Sequence, residues 1–143
     1  MKKFIIRMFL LLTLAACSPA TGPQGDVAAI DCEAYYRSSA TSQGQAQSST
    51  AIFELSPDKK EWSEPFADMT LLAAYHDDEY EGRGLQIAVS DPGSGRQLAS
   101  NLYQFQADKF PTNQFEGGHG FTGLAYVYHP DSPSELQFFC RTR

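Results

Sequence analysis

Leu85, Ile87 and Val89 alternate with Gln86, Ala88 and Ser90, the clearest instance of a two-residue period that recurs along the chain. That period sends successive side chains to opposite faces of a strand, so a half-buried sheet is the structure it can stabilise. Short runs rich in β-branched and aromatic residues follow one another, separated by Gly, Pro, Asn, Asp and Ser, with little helical periodicity. The runs span 30–38, 50–55, 66–76, 85–90, 97–106, 121–129 and 135–141. About seven strands joined mostly by short turns predict an all-β domain, either a single antiparallel β-sandwich or a small β-barrel.

Within the first run, Cys32, Ala34 and Tyr36 face inward, and Asp31, Glu33, Tyr35 and Arg37 face outward. The polar stretch 38–49 is a loop. Ser56 as N-cap and Pro57 at the first helical position suit a single helical turn over 56–60, which Pro65 keeps short. Trp62 is expected across an open face of the core. The turn 91–95 has a mechanism, since Pro92 fixes φ while Gly93 and Gly95 tolerate positive φ. In the run 97–106 the apolar phase moves from even (Leu98, Leu102) to odd (Tyr103, Phe105), which predicts a bulge near Asn101. The stretch 107–118, with Phe110, Pro111 and Phe115, is a long connection.

The last hairpin has two registers. Pairing His129 with Glu135 across the loop 130–134 puts Leu124, Tyr126 and Tyr128 on the face of Leu136, Phe138 and Cys140. A shift of one residue puts Gly123, Ala125 and Val127 there and exposes the tyrosines. The first register fills the core with larger side chains and is the one expected, making the tyrosines core residues.

Ahead of the β-region, Lys2, Lys3 and Arg7 precede an apolar core over 8–14, far short of the ~20 residues a spanning helix needs. This is the order of a secretory signal peptide. Leu14-Ala15-Ala16-Cys17 at its end resembles the lipobox of bacterial lipoproteins. The resemblance covers the leader alone and implies a diacylglycerol thioether on Cys17, cleavage before it and acylation of the new amino terminus. Each buried CH₂ adds ~0.8 kcal/mol, so several chains hold a protein on a leaflet. Ser18, rather than Asp, after the cysteine resembles the sorting signal for the Gram-negative outer membrane. Pro19, Gly22, Pro23 and Gly25 make the following stretch a flexible tether. The expected organisation is a signal peptide over 1–16, a lipidated tether over 17–29 and a β-domain over 30–143.

With Cys17 lipidated, Cys32 and Cys140 remain, near the two ends of the β-domain, and an even pair in an exported protein predicts a disulfide. Closing a loop of about 108 residues removes roughly 5 kcal/mol of unfolded-state freedom. The bridge requires the first and last strands either to be neighbours or to face each other across the sandwich.

The chain holds 11 basic and 17 acidic residues, and three of the bases lie in the leader. The exported part is therefore acidic, which argues against a nucleic-acid partner. His76, Asp77, Asp78, Glu79 and Glu81 form the richest polar cluster. Oxygen ligands in a turn suit Ca²⁺, but the spacing lacks the alternation and glycine of an EF-hand loop, and a solvated hairpin tip accounts for the charges. His76, His119 and His129 show no zinc spacing. The segment 118–123 matches G-x-G-x-x-G, but no helix follows, so the glycines are expected at a bulge or a tight turn into a strand. No G-x-S-x-G is present.

No cofactor is implied. The expectation is a non-enzymatic envelope binding module for a protein or polymer. One alternative is a metal-dependent hydrolase built on His76, Asp77, Asp78 and His119. Another follows from the plan of leader, small β-barrel and terminal disulfide, which resembles periplasmic lipoprotein lysozyme inhibitors. Their Ser-Gly and Trp-Lys-Gly stretches are not reproduced, since Ser94-Gly95 stands alone and Trp62 lies upstream of it.

Overall fold

The computed structural model describes residues 29–41, 48–78, 82–106 and 109–143. Residues 1–28, with the expected signal peptide, Cys17 and most of the expected tether, lie outside the described residues. Eight strands are present among those described: β1 (Ile30–Arg37), β2 (Ser48–Leu55), β3 (Glu61–Pro65), β4 (Thr70–Asp78), β5 (Gly82–Ser90), β6 (Gln97–Gln104), β7 (Ala125–Tyr128) and β8 (Glu135–Thr142). They form two four-stranded antiparallel sheets, ordered β2-β1-β8-β7 and β3-β4-β5-β6. No ladder joins the two sheets among the described residues, so the domain is a sandwich and not a closed barrel.

The strand missing from the sequence-based expectation is β3. It holds one large apolar residue, Trp62, and ends in Pro65, a pattern tolerable only at a sheet edge, where β3 lies. Trp62 turns inward and stacks on Phe53 of the other sheet, with ring centroids 3.8 Å apart and planes 5° from parallel. The expected helical turn before it is instead a tight corner between the sheets. There the Ser56 N–H donates to the Lys59 carbonyl and the Lys59 N–H to the Ser56 carbonyl, each at 3.0 Å. The run expected over 66–76 becomes a strand only from Thr70, because a Phe66 N–H to Met69 carbonyl bond closes a turn first.

Alternation supplies the core. Ile30, Cys32, Ala34 and Tyr36 from β1 meet Leu71, Ala73 and Tyr75 from β4 and Leu85, Ile87 and Val89 from β5. Each fully buried Leu, Ile or Phe is worth ~1.5–3 kcal/mol of apolar transfer. The predicted disulfide is present, and β1 and β8 are neighbours. Cys32 stands directly opposite Cys140, Cα to Cα 4.1 Å. The Cys140 N–H donates to Thr122 Oγ1 at 2.7 Å and its carbonyl accepts from the Phe121 N–H at 3.0 Å. Both backbone groups thus turn away from β1, as in the closer, non-hydrogen-bonded kind of cross-strand pair.

Gly120 explains the glycine-rich segment. It forms a bridge with Cys140 at φ +67°, where a Cβ would fall 2.0 Å from the Cys140 carbonyl oxygen. Only glycine allows that approach.

Two further details differ from expectation. The bulge lies at Leu98, not near Asn101, because Ser90 opposes Gln97 while Val89 opposes Ala99. The final hairpin adopts the other register, with Tyr128 opposite Glu135, Val127 opposite Leu136 and Ala125 opposite Phe138. Phe121, just before β7, is buried and packs edge-on against Tyr103 and Phe105 at 6.0 and 5.6 Å. Val127 is buried and Ala125 half-buried on the inner face. Tyr126 and Tyr128 turn outward.

Candidate binding face

The outer face of the first sheet is read from its register. One row runs Ser48, Arg37, Glu135, Tyr128; the next Thr50, Tyr35, Gln137, Tyr126; then Ile52, Glu33, Phe139; then Glu54, Asp31, Arg141. Four large apolar side chains of this face are well exposed: Tyr35 (37%), Tyr126 (50%), Tyr128 (59%) and Ile52 (71%). Phe139 is half-buried among them, with the His119 ring edge-on at 5.3 Å and the Arg141 guanidinium 5.9 Å from its centroid. A depression of about 180 Å³ opens between Tyr35, Thr50, His119, Leu124, Gln137 and Phe139. Isolated exposed apolar residues are ordinary, whereas a group sharing one face marks an interaction surface.

Every acid of this face has an arginine. Glu135 pairs with Arg37 at 2.7 Å, Glu33 with Arg141 at 2.8 Å, and Asp31 and Glu54 with Arg143 at 2.7 and 2.9 Å. Glu135 is buried although it points outward, and its carboxylate also accepts from the Gln137 amide. Burial alone would push that carboxyl up, but the donors Gln137, Arg37 and Tyr128 outweigh it and hold it below the usual range. Burial and the adjoining carboxylate raise the Tyr128 hydroxyl.

The end of the sandwich carries a second polar cluster. The Asp68 carboxylate, in the β3–β4 turn, accepts from Tyr36 Oη (2.9 Å), Ser132 Oγ (2.5 Å) and Ser134 Oγ (2.7 Å). Burial opposes ionisation, but the three hydroxyls prevail and the pKa is lowered. The cluster ties the second sheet to β1 and to the β7–β8 loop. No sequence signal announces it, because the partners are separated by 32 to 66 positions. His129, on the same loop, accepts the Asp131 N–H at Nδ1 and places Nε2 3.6 Å from the Asp91 carboxylate.

The metal candidates fall elsewhere. His76 and Asp77 lie exposed at the end of β4, and His76 borders a depression of about 370 Å³ on the outer face of the second sheet, with Gly84, Gln86, Leu102 and Gln104. Asp78 ends the strand, and Glu79 and Glu81 lie outside the described residues. His119 borders the first sheet's depression, so the structure sets His76 and His119 on opposite sides of the sandwich. No group of three metal-ligating side chains occurs among the described residues. Tyr35 faces outward as its alternation predicts, whereas Tyr126 and Tyr128, expected in the core, face outward too. The available signal was the alternating set Ala125 and Val127, which a one-residue slip turns inward. No family model, curated protein or solved structure matches this chain.

Proposed function

We propose that the chain is a lipid-anchored envelope protein whose β-domain is a non-enzymatic binding module, with the outer face of the first sheet as its working surface. The observation carrying this reading is the group of exposed rings Tyr35, Tyr126 and Tyr128 on a face whose acids are all arginine-paired. The leader ending in Cys17 supports the anchor, and Ser18 supports an outer-membrane location facing the periplasm. The separation of His76 from His119 favours binding over a hydrolytic site using both. Inhibition of a basic lysozyme would call on unpaired acids, and the exposed rings stand where the acids are already neutralised.

Two measurements test the reading. Mass spectrometry of the mature amino terminus should find a triacylated Cys17; an unmodified terminus contradicts the anchor. A photo-crosslinking amino acid at position 126 should give envelope adducts, whereas one at position 102 should not. Adducts from 102 alone would move the working surface to the other sheet.

A further inference from the structure

Resting on that reading of the face, we infer that its occupant is an uncharged envelope polysaccharide of linked pyranose rings. A pyranose has apolar C–H faces and a rim of hydroxyls, so it needs aromatic rings interleaved with neutral hydrogen-bonding groups. The row Thr50, Tyr35, Gln137, Tyr126 alternates in that way. Tyr35 and Tyr126 stand two strands apart, ~10 Å at the usual inter-strand spacing, with the Gln137 amide between them. That amide donates to Glu135, and among the described residues its oxygen has no donor, leaving an acceptor for a sugar hydroxyl. The depression of about 180 Å³ beside Tyr35 and Phe139 is small, suited to one six-membered ring rather than an extended cofactor.

Charge narrows the choice. Arg37, Arg141 and Arg143 are each engaged by carboxylates of this face, so among the described residues an anionic polymer finds no unpaired arginine there. A protein partner would be expected to meet a continuous apolar centre. Here Gln137, Thr50 and Glu33 interrupt the rings.

The test is affinity electrophoresis of the full chain, in detergent, through native gels containing hydroxyethylcellulose, galactomannan or dextran, with polygalacturonate as the anionic control. At least one neutral polymer should retard the wild type, and polygalacturonate should not. Y126T/Y128T should weaken that retardation about tenfold or more, as loss of aromatic anchors does. Leu102→Ser, on the opposite face, should leave it within about twofold. If the double variant no longer melts cooperatively, Tyr126→Thr alone is read. Absence of retardation by all three neutral polymers, equal retardation by polygalacturonate, or retardation indifferent to the tyrosines would each overturn the proposal. If no neutral polymer retards the chain, yet a washed envelope fraction binds wild type and not Y126T/Y128T, the sugar is wrong and the face stands.

Discussion

On the outer face of the first sheet, Tyr35, Tyr126, Tyr128 and Ile52 stand exposed among arginine-paired acids. The outer face of the second carries Ser63, Leu72, Ala88 and Ser100 in one row and Glu61, Ala74, Gln86 and Leu102 in the next. Both sheets cover the same core and use the same alternation, so core formation cannot account for the difference. The second sheet leaves Leu72 (41%) and Leu102 (60%) exposed in these rows but no aromatic ring, so this sandwich closes without rings outward. The rings of the first sheet are therefore surplus to folding, and surplus exposed aromatics point to binding. The first sheet also holds the disulfide and ion pairs crossing its strands, which stiffen the surface that presents the rings.

Cys140→Ser should cost about 5 kcal/mol in denaturant unfolding, given the long loop the bridge closes, and leave membrane attachment intact. Hydrogen exchange in that variant should rise first in β1 and β8. Equal loosening of β4 and β5 would show that the staple serves both sheets alike. Gly120→Ala sets a Cβ against the Cys140 carbonyl at positive φ and should cost roughly 2–4 kcal/mol, measured as a fall in Tm.

Glu135→Gln should cost about 2 kcal/mol, less than for a fully buried pair because Arg37 is partly exposed. Asp68→Asn replaces one of the two carboxylate oxygens that accept the three hydroxyls with an amide donor, and should cost about 1–3 kcal/mol. Both carboxyls have lowered folded-state pKa values. Their stabilisation is therefore complete above the unfolded value of about 4 and is lost as pH falls through the lowered folded values. A melting curve against pH should be flatter in acid for either variant than for wild type. At the bottom of the scale, Tyr126→Thr and Leu102→Thr should each change stability by no more than about 0.5 kcal/mol. A large loss at Tyr126 would make that ring structural.

Much of the fold was legible in residues that face the core. The alternation in β1 and β5 and the placement of two cysteines near the ends of the domain led to the sheets and the bridge. What escaped was decided by distant neighbours. β3 is a strand because β4 offers it an edge, and the final register, with Val127 opposite Leu136, is one of two that local alternation does not distinguish. The candidate face was hidden for the same reason, since a one-residue slip exchanges Tyr126 and Tyr128 for Ala125 and Val127. The Asp68 cluster joins β1, the β3–β4 turn and the β7–β8 loop, which no local pattern connects.

The most direct measurement compares the two faces in one assay: co-sedimentation of the full chain in detergent with a detergent-washed envelope fraction, for Y126T/Y128T beside L72T/L102T. The first pair should raise Kd about tenfold or more, and the second should stay within about twofold of wild type. Greater loss from the leucine pair, or wild-type binding in both, would contradict the assignment of the working surface to the first sheet.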